Sequence, residues 1–399
     1  MEPDEDEFLE QARLFLNAKA AEHRPPPISA KDAQRIALFP DLTPSEEAAE
    51  LTRARSWRQE RFDAGFGWIS GPPTYGGRGM TKAFERSYQR LEREYDLPGQ
   101  RLYDIGIGML VPTILAWGTD LAKERYLRPL QRGDVVGCQL FSEPAAGSDL
   151  AGVETRAVRV GEDWKITGQK MWSSGAHLSD VGLLICRSGD KDDRHRNLTA
   201  FLLPMTLDGV SIRPIRQMTG GSSFNEVFLD GVVIPDSLRL GEIDEGWQVV
   251  LTTLMNERAA VGSPSAGGIG IFRTERLIEL VKRSGRLDDP VMRDRLIRLH
   301  CDLTVAKLTR QRSETSMRAG QRPGPEMSIG KLALTNNLRS LSDLVSLALG
   351  PRLIADDGTP DGYAWSELIL GIPGLRLGGG TDEIQKNIVA ERVLGLPRS

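Results

Sequence analysis

The chain reads as a mainly α protein with a central antiparallel β domain, and three observations predict it. Charged stretches with apolar residues at helical spacing dominate up to about residue 137. Short β-branched and aromatic runs, cut by Gly, Asp and Pro, fill 138–238. Helical spacing returns at Trp247 and continues to the C-terminal end. The expected domains are 1–137 (helical), 138–238 (β) and 239–399 (helical).

In the first domain, FERSYQRLEREYDLP (84–98) and LAKERYLRPLQRG (121–133) predict helices, the second ending at its glycine. AEHRPPPIS (21–29) reads as a Pro-rich connector, and GPPTYGGRGM (71–80) as a loop. In the second domain, the alternating segments of TRAVRVGEDWKITGQKMW (155–172) predict a hairpin turning at GED. VGLLICRS, LTAFLLP, VSIRPI and FNEVFLDGVVI supply further strands of a small antiparallel barrel or sandwich. In the third, WQVVLTTLMNERAAVG and the stretches 271–283, 290–320, 326–349 and 383–395 predict helices.

Composition narrows the function classes. A net charge of −4 and a pI near 5.8 give no reason to expect nucleic acid or an anionic membrane as partner. Cys138, Cys186 and Cys301 form no CxxC pair or disulfide framework, which fits a reducing, cytoplasmic setting. The acidic start MEPDEDEFLE is unlike a signal or transit peptide. No apolar run approaches the ~20 residues needed to cross a bilayer. His23, His177, His195 and His300 lack metal-ligand spacing, so no metal is expected.

Two segments of the β domain can bind a ligand. CQLFSEPAAGSDLAG (138–152) is a strand opening into a loop of small and hydroxylated residues, which offers backbone N–H groups and hydroxyls to a polar ligand. It also fits a plain turn between strands. GQKMWSSGAHLSD (168–180) puts a tryptophan and two serines at a strand end, an indole face beside hydroxyls. A lone tryptophan also fits the core. Near the C-terminus, LGGGTDEIQ (377–385) runs glycines into a helix start. Thr381 is a good N-cap, and Asp382 and Glu383 suit the positive end of the helix, where they would repel a phosphate.

In this order and spacing, CQLFSEPAAGSD, GQKMWSSG, FNEVFLDGVVIP, EGWQVVLTTLMNER and GGGTDEIQKNIVAERVLG resemble the acyl-CoA dehydrogenase family, from about residue 60 onward. The resemblance implies a helical domain, a β domain and a C-terminal four-helix bundle, with FAD bound between the β domain and the helices. It implies α,β-dehydrogenation of an acyl-CoA, with electron-transfer flavoprotein as electron acceptor. Gln139, Phe141, Ser142 and Ser148 fall where the family lines the flavin or the start of the CoA chain. Gln139 departs from the aromatic often found there. Trp172 and Ser174 resemble the pair that packs on the ring and bonds near N5. Thr381 and Glu383 lie in the turn beside the ADP part of FAD.

Many members carry the catalytic glutamate immediately before the Gly-Thr of the C-terminal motif. Gly379 stands there, and only its backbone N–H is available to polarise the thioester carbonyl. One branch, resembling isovaleryl- and long-chain enzymes, instead carries the glutamate on an early helix of the C-terminal domain. That position is Glu257 in LMNERAA, followed by Arg258, which is expected to contact substrate. A Glu-Arg pair on a helix is otherwise commonly a solvated feature. Here apolar neighbours favour a buried base of raised pKa. Leu254, Met255 and 105–116 are expected to line the acyl pocket.

Two family segments that reach a neighbouring subunit's FAD are altered. LVKRSGRLDDPVMRDRL (280–296) lacks the phenylalanine of an Arg-x-x-Phe-Gly segment. SLALGPRLIAD (346–356) lacks the glutamine and most glycines of a Gln-x-x-Gly-Gly-x-Gly turn. The expected assembly is a homo- or hetero-oligomer, and the losses favour a half-site completed by a homologous subunit, as in α2β2 enzymes acting on steroid side-chain thioesters. A non-catalytic partner subunit and a flavin oxidase or monooxygenase remain open alternatives.

Overall fold

The computed structural model describes residues 4–23, 38–39, 41–190, 193–261, 272–318, 324–354 and 362–398. Of 258–261, 314, 316–318 and 362–364 it describes the backbone alone. The chain forms two compact units. Unit 1 spans Met1–Pro27, Leu42–Arg216 and Ser222–Thr253; unit 2 spans Ile28–Asp41, Gln217–Gly221 and Leu254–Ser399.

Unit 1 begins with α1 (Glu5–Ala20), α2 (Pro44–Asp63), α3 (Lys82–Glu92), α4 (Val111–Trp117) and α5 (Asp120–Arg132). Phe8, Ala12 and Leu16 recur every four residues on α1, so one stripe of that helix is fully buried. It packs on Trp57, Phe66, Phe84 and Tyr88, with Phe8 edge-on to Phe84 at 5.1 Å and Phe66 stacked on Tyr88 at 5.0 Å. A capping box between Thr43 and Glu46 starts α2. Gly133, at φ 91°, ends α5 as the left-handed cap its position predicts.

The sheet comprises β1 (Gly137–Leu140), β2 (Arg156–Val160), β3 (Asp163–Ser174), β4 (Val181–Arg187), β5 (Leu198–Pro204), β6 (Val210–Ile215), β7 (Phe224–Pro235) and β8 (Arg239–Leu240). Its order is β6-β7-β3-β2-β4-β5-β8, with β1 also on β4. The hairpin expected at GED is the β2–β3 turn, with Gly161 at φ 66°. Most pairings are antiparallel. Two pairings on β4 are parallel: β1, Gly137 beside Val181 through Leu140 beside Leu184, and β2, at Arg156 beside Arg187. β4 therefore has β5 on one edge and β1 and β2 on the other. Every residue of β4 is buried, which explains its unbroken apolar run.

The helices that follow are α6 (Gly246–Val261), α7 (Thr274–Arg283), α8 (Pro290–Arg318), α9 (Met327–Leu349), α10 (Gly362–Leu377) and α11 (Asp382–Ile388). The boundary between the units falls inside α6. The core of unit 2 joins Leu277 and Leu280 of α7, Leu296 and Leu299 of α8, Leu341 and Leu344 of α9, and Trp365 and Leu368 of α10. α10 was not anticipated: Gly371, Pro373 and Gly374 break its apolar pattern. Trp365, Leu368 and Ile372 nevertheless form one buried stripe. The connector 21–29, beyond His23, lies outside the described residues, as do 271 and 319–320 of the expected helices. No described helix is long and apolar enough to cross a membrane.

Leu341 is fully buried in unit 2. Leu341→Ala is expected to destabilise that unit by about 2–5 kcal/mol, read as a shifted denaturant midpoint with an unchanged slope.

Candidate functional site

The candidate site residues of unit 1 sit where β1 runs out and β3 bulges. Along β1, Cys138 and Leu140 are buried, while Gln139 on the opposite face is half-buried. Phe141 follows, buried, then Ser142, half-buried, and Ser148 is exposed in the loop. The carbonyl of Ser142 accepts the backbone N–H of Met171 at 2.9 Å, which lays the loop against β3.

A buried ion pair holds that contact. Lys170 Nζ lies 2.6 Å from Glu143 Oε1 and donates to the Phe141 carbonyl at 3.2 Å. Glu143 also accepts the N–H of Glu154 at 2.6 Å and of Thr155 at 3.0 Å. Lys170 is fully buried and Glu143 nearly so. Burial pushes the Glu143 carboxyl up, but Lys170 and the amides outweigh it and hold it below its ordinary value. Cys186 lies close by, and burial pushes its thiol up to about 12, so it stays neutral. Sequence reasoning missed this pair, although a signal existed. Trp164, Ile166 and Lys170 share the inward register of β3, and a lysine on an inward register needs a carboxylate.

The bulge produces the most unusual residue of the unit. Between Lys170 and Ser173, β3 has one residue more than β7 between Val227 and Asn225. Trp172 takes up the excess at φ 59°, a conformation rare for a bulky side chain. Its indole is 54% exposed, edge-on to Phe224 at 6.1 Å. Asn225 Nδ2 donates to the Ser173 carbonyl at 3.0 Å and supports the bulge, beside half-buried Ser174. A flat, half-exposed indole held in a strained conformation beside hydroxyls suits an aromatic ring system. The residues therefore fit a flavin.

In unit 2, Glu257 lies on α6 one turn beyond buried Thr253, on the same helix face, and is half-buried. Arg258 follows on the same helix, its side chain outside the described residues. Within unit 1 the first half of α6 is tied to α4: the hydroxyls of Thr253 and Thr113 lie 3.0 Å apart, and Trp117 Nε1 donates to Thr252 at 2.9 Å. The 105–116 segment is a π-turn, Gly106–Leu110, leading into α4, a feature often found at functional sites. Leu254 is half-buried, but Met255 is 52% exposed.

Gly379 and Gly380 lie at φ 68° and 82°. Thr381 caps α11, accepting the Ile384 N–H at 3.2 Å, and Gln385 Nε2 donates to the Gly379 carbonyl at 2.9 Å. The two acids after Thr381 differ. Glu383 is exposed. Asp382 is buried and accepts from Thr335 at 2.8 Å, Arg376 at 2.9 Å and Lys331 at 3.3 Å. Burial raises its pKa, and these three partners bring it below the ordinary value. Asp382 thus clamps α9, α10 and α11 together, and its charge is already matched.

The two altered family segments meet in unit 2. Arg286, in the α7–α8 turn, donates to the carbonyl of Leu347 near the end of α9. Elsewhere, Glu22, His23 and Glu60 have ligand atoms close enough for a cation. Lys19 lies 3.0 Å from Glu22 and 3.2 Å from Glu60, and so supplies the positive charge itself.

Residues 138–232 match the acyl-CoA dehydrogenase middle domain and 244–394 the acyl-CoA dehydrogenase C-terminal domain. Acyl-CoA dehydrogenase IpdE1 of Mycobacterium tuberculosis (strain ATCC 25618 / H37Rv) is 36% identical, over 89% of this chain and 91% of the relative. FadE34 of the same organism is 39% identical over 74% of this chain, which spans 40% of that relative. Among solved structures, a variant of the Tcur3481-Tcur3483 steroid ACAD has a TM-score of 0.78 at 25% identity, covering 99% of this chain and 100% of the other. The ChsE4-ChsE5 complex from Mycobacterium tuberculosis has a TM-score of 0.73 at 27% identity, covering 100% and 99%.

Glu143, with its lowered pKa, contributes stability that is fully present above the ordinary carboxylate value of about 4.3 and is lost as pH falls through its folded value. Glu143→Gln is expected to flatten part of the acid limb of the melting temperature measured from pH 7 to pH 3. At pH 7 it is expected to cost about 3–5 kcal/mol, because Lys170 is left buried and unmatched.

Proposed function

The chain belongs to the acyl-CoA dehydrogenase family, and on that premise we propose that it catalyses FAD-dependent α,β-dehydrogenation of an acyl-CoA to the trans-2-enoyl-CoA, with Glu257 as the α-proton base. The observation that carries the flavin assignment is Trp172, half-exposed at φ 59° beside the Ser142 loop. Gln139, Phe141, Ser142, Trp172 and Ser174 would hold the flavin, with Thr381 and Glu383 toward its ADP part. Ser148 and Arg258 would contact the acyl-CoA.

FAD, when bound, supplies the acceptor for the hydride leaving Cβ. The remaining work falls to this chain. The α-proton of a thioester is weakly acidic, so its removal by Glu257 requires the carbonyl oxygen to be stabilised as enolate character develops. The Gly379 N–H serves as one donor. Electron-transfer flavoprotein is the proposed electron acceptor.

The proposed assembly is heteromeric, this chain contributing the base and its own flavin contacts and a homologous subunit completing the cofactor site. The supporting observation is that the two segments departing from the family pattern lie together in unit 2, where Arg286 donates to the Leu347 carbonyl of α9. Solved relatives named as two-component assemblies point the same way. One of those names specifies a steroid enzyme, which puts a bulky thioester first among substrates to test.

Glu257→Gln is expected to lower kcat by about 10²- to 10⁴-fold while the flavin absorbance of the complex is retained. An unchanged kcat would make this chain the non-catalytic subunit. Trp172→Ala is expected to weaken FAD binding about tenfold, measured by flavin fluorescence. If the purified chain alone held stoichiometric FAD and turned over acyl-CoA, the heteromeric assignment would fall.

A further inference from the structure

A chain of three side chains ties the Trp172 bulge to α2, and their donor and acceptor capacities admit one arrangement. Glu47 lies in the first turn of α2, His177 in the short turn after β3, and Asn225 near the start of β7, directly opposite Ser173. Glu47 and His177 are half-buried and Asn225 is fully buried. His177 Nε2 is 2.9 Å from the Glu47 carboxylate, and His177 Nδ1 is 3.0 Å from Asn225 Nδ2. The same Asn225 nitrogen lies 3.0 Å from the Ser173 carbonyl. All four residues belong to unit 1.

The protons can be assigned from one end of this chain to the other. The Ser173 carbonyl can only accept, so the atom of Asn225 that faces it must be the NH2 group and not the oxygen. An amide nitrogen only donates, so His177 Nδ1 must be the bare, accepting nitrogen. The ring proton is then left to Nε2, where the Glu47 carboxylate accepts it. An imidazolium would set N–H against N–H at Asn225. Glu47 and His177 therefore share a hydrogen bond of the neutral ring. Asn225 Oδ1 is buried without a partner among the described residues, so the two contacts of Nδ2 alone orient the amide.

That orientation bears on Trp172. The Ser173 carbonyl follows directly after the bulged residue, and Phe224, beside Asn225 on β7, is the ring edge-on to the indole. Without an acceptor at Nδ1 the amide is free to turn, and a buried carbonyl next to the bulge loses its donor.

We propose that His177 is a positioning residue of the flavin site. As the neutral Nε2–H tautomer, fixed by Glu47, it holds the Asn225 amide on the Ser173 carbonyl and so keeps the Trp172 indole presented. The role in flavin binding rests on the reading of Trp172 given above; the tautomer does not.

Two replacements separate the two nitrogens. In His177→Asn the amide oxygen stands as many bonds from Cα as Nδ1 does; it can still accept from Asn225, while the reach to Glu47 is lost. In His177→Gln the amide nitrogen stands as many bonds from Cα as Nε2 does; it keeps Glu47 but leaves no acceptor at the Nδ1 position. In flavin-fluorescence titrations of the FAD-binding assembly, His177→Gln is expected to weaken FAD affinity about tenfold and His177→Asn at most about twofold. A plain structural tie between the turn and α2 would reverse that order, and the reversed order overturns the proposal. On the full chain without FAD, nitrogen NMR of 15N-labelled histidine should show a bare Nδ1 and a protonated Nε2 at neutral pH, the signal being assigned by its loss in His177→Asn. A proton on Nδ1, in the other tautomer or in an imidazolium, also overturns it. FAD affinity equal in the parent and both variants removes the positioning role and leaves the flavin reading standing. A parent that binds no FAD in any assembly sinks the flavin reading and this role together.

Discussion

The Glu143–Lys170 pair is the constraint on which the candidate site of unit 1 depends. Its two residues lie 27 positions apart, on a loop and a strand with no other reason to coincide. Burying either charge alone would be costly. Together they bind the Phe141 carbonyl and the amides of 154 and 155, so one interaction fixes three stretches of backbone. Ser142 lies between two of the anchored residues, and Trp172 two residues past Lys170. An apolar pair of equal volume would fill the space, but it would not orient the carbonyl and the amides. The pair's role is positional.

Unit 2 reaches a similar solution with different parts. Asp382 gathers a lysine, an arginine and a threonine from two other helices, so the turn preceding it is held at its C-terminal side. This changes how the acidic start of α11 is read. Of the two acids that seemed set against an anion at that helix end, one is spent on internal partners and only Glu383 faces solvent. The electrostatic argument against a nearby phosphate is correspondingly weaker than the bare sequence implies.

Regular elements were legible because their signals are local. Strand alternation and helical spacing located the hairpin at GED and the helices around 121–133 and 326–349 within a few residues. Elements whose reason is tertiary were not. β1 lies parallel to β4 along Val181–Leu184, a tertiary pairing that no residue in GCQL announces. α10 is stabilised by Trp365 and Leu368 despite Pro373. The bulge at Trp172 is a misfit of register between two strands, invisible in either one. Glu257 stands apart: its pattern alone is that of many helical Glu-Arg pairs, and family resemblance alone singles it out.

The glycine-rich turn and the location of the base are physically coupled. Gly379 and Gly380 both occupy the left-handed region, at φ 68° and 82°. A side chain at either position would cost roughly 1–2 kcal/mol of backbone strain. At Gly380 a Cβ would also approach Gln385 Nε2 to 2.6 Å, disturbing the group that bonds the Gly379 carbonyl. The turn is thus committed to presenting backbone, and a carboxylate placed at 379 would have to distort it. On the proposed function, a chain that adopts this conformation would carry its proton acceptor on another element. Glu257, on a regular helix one turn from Thr253, would meet that need without strain. On the proposed mechanism, the absence of an acid at 379 and the presence of one at 257 are two aspects of one design, in which backbone would polarise the carbonyl and a helix would carry the base.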